Sequence, residues 1–245
     1  MHSCKSNQVV HARKIITKIT TFCWLLMPSF SLPISAEVND VSLTLLRGHN
    51  YEVGEPERTL LTFEYFHMND WGDYFMFVDR VEPDGDDGST YMELSPRFKL
   101  MNFDDSVINS LYVTTTWEHG DTADNILIGP AVDINVPGFN FIKLNFYRRF
   151  NDLTDDNYQF TPVWAYPFKI GEHDWLFDGV IDWTNSTPQS ASSFFLSTQI
   201  KWNANGALGI SENFFIGTEY IYWNNKFGIQ GVNENNLNLL FKYHF

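Results

Sequence analysis

The last nine residues of the chain alternate between apolar and polar side chains. One parity is wholly apolar and finishes on a C-terminal phenylalanine: Leu237, Leu239, Phe241, Tyr243 and Phe245. The other parity is polar or charged apart from Leu240. Successive side chains of a β-strand point to opposite faces, so this alternation predicts a strand with one apolar face and one polar face.

The same period of two recurs upstream, in segments 91–100, 140–149 and 175–183. Their polar faces carry charges of both signs, and their apolar faces are bordered by Trp and Tyr. A transmembrane β-barrel requires this division, with apolar residues toward lipid, polar residues toward the lumen and aromatic girdles at both interfaces. The sequence therefore predicts an all-β protein, a transmembrane antiparallel β-barrel.

About twelve strands are predicted. Their expected ranges are 40–48, 58–67, 72–83, 89–101, 107–118, 125–135, 138–150, 156–168, 173–184, 191–203, 212–223 and 234–245. An even number suits a bacterial barrel, and closure leaves no unpaired strand edge in hydrocarbon. A twelve-stranded lumen is narrower than that of a sixteen-stranded porin, so side chains should line it closely.

The N-terminal segment has the order of a secretory signal peptide. Three basic residues precede an apolar stretch at 22–34, and the small pair Ser35-Ala36 follows. That stretch is short for a membrane-spanning helix. We therefore expect a cleaved signal peptide over 1–36, a β-barrel over 37–245, and localisation in the outer membrane of a Gram-negative cell.

Removal of this segment changes the charge and the cysteine count. Both cysteines, Cys4 and Cys23, lie within it, together with four of the 16 basic residues. The mature chain then has 12 basic and 30 acidic residues, a formal charge of −18. Nucleic acids and anionic lipids are attracted to basic surfaces, so neither is expected as the main partner.

Several motifs resemble those of one outer-membrane family. The first are Thr59–Phe66, Asp70–Phe75 with Val78-Asp79, and Tyr91–Phe98; the later ones are Gly129–Ile134, Pro137-Gly138, Asn145–Tyr147 and Lys242–Phe245. Together they are similar to the Tsx/OmpK family of nucleoside-specific channels. The resemblance implies a narrow, monomeric, twelve-stranded barrel that takes up nucleosides and that, in some members, serves as a phage receptor. The Ser-Pro-Arg form of Tyr91–Phe98 is closer to the OmpK branch, whose substrate is less well defined.

A lumen suited to a nucleoside should offer rings for stacking and polar groups for the sugar and base edges. The candidate substrate-binding residues are Tyr51, Glu64, Asp73, Phe75, Phe77, Asp79, Glu93, Arg97, Lys99, Asp133, Asp178 and Asp182. Further inward charges could come from Lys143, Arg149, Lys201, Glu219 and Lys242. Tyr51 is included because the resemblance places an aromatic residue of the binding path there. Charges in a small barrel also pair as structural ladders, since an isolated charge in a confined lumen is costly.

Other aromatic and polar residues receive different expectations. Five tryptophans are predicted to be interfacial anchors: Trp71, Trp117, Trp175, Trp183 and Trp223. The aspartates 70, 73 and 79 lack the glycine and the terminal glutamate of a calcium loop, and no zinc motif is present, so neither a metal nor a cofactor is expected. The barrel-insertion machinery is expected to read the terminal strand through Phe245.

The expected function is passive, selective diffusion of small solutes such as nucleosides across the outer membrane. One alternative is a phage or adhesion receptor barrel with little selective transport. A second alternative is an outer-membrane lipid hydrolase, for which His67 near Asp70 is the one suggestive pair. The chain has no Gly-x-Ser-x-Gly nucleophile elbow, so an enzyme is not expected.

Overall fold

A computed structural model describes residues 38–85, 87–103, 106–121, 123–210 and 213–245. The predicted signal peptide lies outside these residues. The strands are β1 Val38–Gly48, β2 Arg58–Asn69, β3 Gly72–Pro83, β4 Ser89–Asn102, β5 Ile108–Gly120, β6 Ala123–Ile134, β7 Phe141–Phe150, β8 Asn157–Ile170, β9 His173–Thr184, β10 Ser193–Asn203, β11 Asn213–Asn224 and β12 Glu234–His244. A short helix α1 spans Asn205–Leu208, and a 3-10 turn spans Lys226–Gly228. Neither helix is long or apolar enough to cross a membrane.

The twelve strands form one closed antiparallel barrel. Each strand pairs with the next along the chain, and β1 pairs with β12 to close the ring. The predicted fold class is therefore confirmed. Strand β7 begins at Phe141 rather than at the predicted 138, because Gly138 has a φ of 92° and still belongs to the preceding turn.

The two ends of the barrel differ. We call the end that carries Val38 and Phe245 the terminal rim, and the opposite end the loop rim. The longer connections at the loop rim cover 49–57, 151–156, 185–192 and 225–233. At the terminal rim, two connections are two-residue turns, Asp70-Trp71 and Gly171-Glu172, and the longest covers 204–212.

Strand register assigns each side chain to the lumen or to the outer surface. Thr44 pairs with Lys242, and Leu45 pairs with Phe241, so adjacent parities face opposite sides. The outward parity is apolar and exposed, as at Leu61 and Leu237. The lumen parity is polar and often buried, as at Asn238. This distribution is the reverse of that in a soluble sandwich and matches a barrel surrounded by hydrocarbon.

Outward aromatic side chains form a girdle at each rim. At the terminal rim, Trp71 stacks on Tyr74 with 6.4 Å between ring centroids, and Tyr243 contacts Phe245 at 4.9 Å. At the loop rim the exposed aromatics include Trp117, Phe150, Tyr158, Trp183 and Tyr222. Aromatic side chains of this kind occupy membrane–water interfaces, and the apolar band between the girdles is ~25 Å tall in outer-membrane barrels.

Inward side chains differ in their access to the lumen. Between Ser42 and Gly48 on β1, and between Ser110 and Glu118 on β5, every inward position is buried. The inward positions of β2, β3, β4, β9 and β10 are mostly part-exposed. The β3–β4 pair lies six places from the β9–β10 pair in the ring of twelve strands. Open space along the axis is therefore bordered by part-exposed side chains on opposite sides of the barrel. We call the two facing strand pairs the β3–β4 wall and the β9–β10 wall.

Candidate solute path in the barrel lumen

Five cations of the lumen are held by carboxylates on nearby strands: Arg97, Lys143, Arg149, Lys201 and Lys242. Arg149 donates two hydrogen bonds to Glu118, each 2.5 Å long, and a third to Gln159 at 2.7 Å. Lys201 donates to both oxygens of Asp178, at 2.9 and 2.6 Å. Charge-assisted bonds of this geometry are among the strong ones in proteins, so these pairs brace the wall.

Two further groups of ion pairs extend this ladder. Lys242 on β12 binds Glu64 on β2 across the intervening strand β1. Arg97 binds Asp133 and lies 3.6 Å from Asp73. Lys143 is 3.4 Å from Asp73, and its ammonium lies 4.7 Å from the centroid of the Phe66 ring. Phe66 is on β2 and Lys143 is on β7, so this contact crosses the lumen.

Four inward carboxylates have no cationic nitrogen within 4 Å among the described residues: Asp79, Glu93, Asp182 and Glu219. Their hydrogen-bond donors are neutral. The hydroxyl of Thr62 donates to Asp79 at 2.5 Å, and that of Tyr91 donates to Glu93 at 2.7 Å. Each carboxylate is therefore hydrogen-bonded, but no cation lies next to it among the described residues.

Aromatic rings line the β3–β4 wall beside these carboxylates. Phe75 and Phe77 face the lumen with ring centroids 6.0 Å apart, and Tyr91 continues the strip at 5.9 Å from Phe77. On the opposite side, Phe195 faces the lumen and contacts Trp223 at 4.8 Å. Part-exposed rings on facing walls offer stacking surfaces to a solute that passes between them.

The loop 49–57 folds against the inner face of β12 at the loop rim. The hydroxyl of Tyr51 donates to Asn238 at 3.0 Å, and the backbone N–H of Glu52 donates to Glu234 at 2.9 Å. Burial raises the pKa of the Tyr51 hydroxyl well above its ordinary value. This loop narrows the mouth of the lumen on the β12 side.

A lysine of the adjoining connection lies in an aromatic environment. Lys226 donates to Glu234 at 2.5 Å, and its ammonium is 4.8 Å from the Trp223 ring and 5.3 Å from the Phe227 ring. Tyr51 completes the surroundings, with its ring centroid 6.0 Å from the ammonium. Burial lowers the pKa of Lys226, although Glu234 opposes that effect.

The structure divides the sequence-predicted site residues into three groups. Those engaged in ion pairs are Glu64, Asp73, Arg97, Asp133 and Asp178. Those on the lumen face without an ion pair are Phe75, Phe77, Asp79, Glu93 and Asp182. The two at the rims are Tyr51 in loop 49–57 and Lys99 beside a β-bulge near the terminal rim. The first group braces the barrel, and the second borders the open path.

Several residues differ from the sequence-based expectations. Trp223 was predicted to be an interfacial anchor, and this is wrong: it pairs in register with inward Phe195 and donates to Ser193 at 2.9 Å. Phe195 and Tyr91 were not among the candidates, yet both rings face the path. His67 lies on the outward face and hydrogen-bonds to Asn39 at 2.6 Å. The described residues contain no cluster of metal-binding side chains.

A closed antiparallel barrel with an apolar exterior, two aromatic girdles and a charged lumen defines the class of outer-membrane porin-like barrels. The chain is similar to the solved KdgM porin, with a TM-score of 0.53 and 12% identity over 85% of this chain and 99% of that one. It is equally similar to a KdgM porin in complex with disordered oligogalacturonate, with a TM-score of 0.52, 12% identity and the same coverage. Pseudomonas aeruginosa OccK11 (OpdR) matches at a TM-score of 0.38 and 9% identity, over 84% of this chain and 66% of that one.

The family follows from the sequence itself. Residues 42–245 match the model of the domain of unknown function DUF5020, and the chain belongs to that family. No curated protein matches the chain.

Proposed function

We propose that this barrel is an outer-membrane channel for passive, selective diffusion of small solutes, and that nucleosides are among them. The observation that carries the proposal is the strip formed by Phe75, Phe77 and Tyr91, which is part-exposed on the β3–β4 wall of a polar lumen. An unselective aqueous pore has no need of rings on its inner face. A path that binds its solute by stacking requires them.

The chemistry of a nucleoside suits this strip. Its base can stack on an aromatic ring, an interaction of ~1–3 kcal/mol per base in nucleic-acid-binding proteins. Its hydroxyls and exocyclic amines can donate hydrogen bonds to Asp79 and Glu93, whose present donors are neutral. The resemblance of Thr59–Phe66 and Tyr91–Phe98 to the Tsx/OmpK channels supports the same solute class.

A solved relative of this fold also supports passage of solutes. A KdgM porin has been solved in complex with oligogalacturonate, a polyanion. The present lumen differs chemically from one suited to a polyanion, because its cations Arg149, Lys201 and Lys242 are already bound by carboxylates. We therefore expect neutral solutes rather than acidic oligosaccharides.

Uptake into proteoliposomes tests the proposal. Radiolabelled adenosine should enter faster than N-acetylglucosamine, a neutral sugar of lower mass, and a Phe77→Ala variant should lose at least about fivefold of this preference, which corresponds to ~1 kcal/mol of stacking. Phe63→Ala is the matched control, because Phe63 lies on the outward face of β2. Equal entry of both solutes would leave an unselective pore. A barrel without conductance in planar bilayers would favour the receptor function.

A further inference from the structure

Carboxylates on the inner face of the barrel outnumber their cationic partners, and unpaired carboxylates lie on both of the facing walls. Each of five lumen cations, Arg97, Lys143, Arg149, Lys201 and Lys242, has a carboxylate partner within 4 Å. The inward carboxylates that remain without such a partner include Glu93 on the β3–β4 wall and Asp182 on the β9–β10 wall. Each of these walls therefore has a carboxylate that faces the open path and has no cation next to it.

An aromatic ring accompanies the carboxylate on each wall. In the register of β3 and β4, Phe77 stands directly opposite Glu93. In the register of β9 and β10, Phe195 stands directly opposite Asp182. The two walls are diametrically opposed in the barrel, so a solute in the path meets a ring and a carboxylate on both sides.

A buried acceptor beside Asp182 also lacks a donor. Asn145 is 5% exposed and faces the lumen from β7, and its Oδ1 has no hydrogen-bond partner among the described residues. The orientation of its amide is fixed, because Nδ2 donates to the carbonyl of Thr161 at 3.0 Å. The Thr161 hydroxyl in turn donates to Asp182 at 2.5 Å. A buried acceptor without a donor is costly, so this oxygen favours a solute that donates hydrogen bonds.

The protein already binds an ammonium group with the same combination of groups. The ammonium of Lys226 is held by the Glu234 carboxylate and lies over the rings of Trp223 and Phe227. An ammonium is attracted to the negative face of an aromatic ring and forms strong hydrogen bonds with carboxylates. The two facing walls present these two kinds of group, Phe77 with Glu93 and Phe195 with Asp182, without a lysine between them.

We propose that the section of the path between Phe77–Glu93 and Phe195–Asp182 binds organic cations that carry an ammonium group on an apolar or aromatic body. The proposal rests on the proposed channel function and specifies its preferred solutes. The rings bind the body of the solute and attract its charge, while Glu93, Asp182 and the Asn145 oxygen accept its N–H donors. Anions of the same size are excluded by the two carboxylates. Neutral solutes pass at an intermediate rate.

Three probes of nearly equal size separate charge from shape: 2-phenylethylammonium, 2-phenylethanol and phenylacetate. In proteoliposomes that contain the full barrel, the rate of protein-dependent entry should fall in that order. Glu93→Gln and Asp182→Asn keep side-chain size and remove charge. Each should reduce the ratio of cation entry to anion entry by about fivefold, the equivalent of the ~1 kcal/mol between two unit charges 4 Å apart in water. Glu82→Gln, on the outward face of β3, is the control and should leave the ratio unchanged.

A second measurement needs no variant. In planar bilayers, 2-phenylethylammonium should block the potassium current through the unaltered protein at concentrations at which phenylethanol does not. Equal entry and equal block by the cation and the alcohol would overturn the cation proposal while leaving the channel intact. A cation preference that survives in both variants would overturn its assignment to Glu93 and Asp182. If none of the probes enters and no current flows, the channel function itself fails.

Discussion

Replacement of Lys242 by methionine removes the cation that ties β12 to β2. Lys242 is in register with Thr44 on β1, and Glu64 is in register with Ser42, so the Lys242–Glu64 ion pair spans the strand that closes the barrel. After the substitution Glu64 keeps one donor, the Ser42 hydroxyl at 2.8 Å. Methionine preserves most of the length of the side chain, so the main change is the loss of the positive charge.

The magnitude follows from the burial of the two side chains. The Lys242 side chain is 9% exposed and that of Glu64 is 22% exposed. Removal of one partner from a buried ion pair costs ~3–5 kcal/mol, because the other charge is left uncompensated. Since Glu64 keeps Ser42 and some access to lumen water, we expect a loss of about 3 kcal/mol in the free energy of unfolding, at the lower end of that range.

Urea unfolding in lipid or detergent, followed by tryptophan fluorescence, measures this loss. Lys169→Met is the control, because Lys169 pairs with Asp174 while their side chains are 69% and 64% exposed. Such an exposed pair contributes ~0–1 kcal/mol. Addition of Glu64→Gln to Lys242→Met should recover much of the stability, because the uncompensated charge is removed. A Lys242→Met variant as stable as the control, or a double variant no more stable than the single one, would refute this account of the closing seam.

Three other predictions concern different parts of the barrel. The bidentate hydrogen bonds from Arg47 lower the pKa of Asp84. Their stabilising effect is therefore present above the ordinary pKa of about 3.9 and is lost as the pH falls through the lowered pKa of the folded state. In an Arg47→Gln variant, an NMR titration of the carboxyl group should show the pKa of Asp84 rising toward about 3.9. An unchanged pKa would contradict this. Leu127 is wholly buried on the lumen face, so Leu127→Ala should cost ~2–5 kcal/mol in urea unfolding, and a cost below 1 kcal/mol would show that the lumen collapses around the site. A Cβ at Gly179 would lie 2.7 Å from the Trp164 ring and 2.6 Å from a backbone oxygen, so Gly179→Val should cost ~1–3 kcal/mol, whereas unchanged stability would mean that the sheet bends to accommodate the side chain.

The architecture could be predicted because its signal is local. A period of two identifies a strand within about six residues, and a turn marker such as Pro137-Gly138 separates it from the next. Once the strands are recognised, hydrocarbon leaves an apolar-faced sheet no alternative to closure. The observed strands and the closed ring follow from these two arguments alone.

Which inward charges form ion pairs and which remain unpaired could not be predicted, because the ion pairs join distant parts of the chain. Glu64 and Lys242 are 178 positions apart, and Glu118 reaches Arg149 past the whole of β6. Parity indicates that these side chains face the lumen, but it does not say which two meet. That outcome depends on the shear of the barrel and on side-chain length, neither of which is expressed in a single strand.

The missed aromatic residues carried a signal that parity could have revealed. Lys201 was expected to face inward, and Phe195 shares its parity on the same strand. Glu219 was also expected to face inward, and Trp223 shares its parity on β11. Tryptophan has a general preference for membrane interfaces, but the alternation of side chains along β11 decides the direction of Trp223.

The pairing of β1 with β12 has a consequence for how the wall assembles. Eleven seams of the ring join consecutive strands, and the twelfth brings together residues far apart in the sequence, such as Leu43 and Tyr243. A ring has no preferred starting point, so a circular permutant opened at Gly171-Glu172, with residues 38 and 245 bridged by a linker, retains all twelve seams. In that permutant β1 and β12 are joined as a hairpin, so their pairing becomes local. The pairing of β8 with β9 then becomes the long-range contact with the high entropic cost. The order of assembly thus depends on where the ring is cut, while the finished barrel does not.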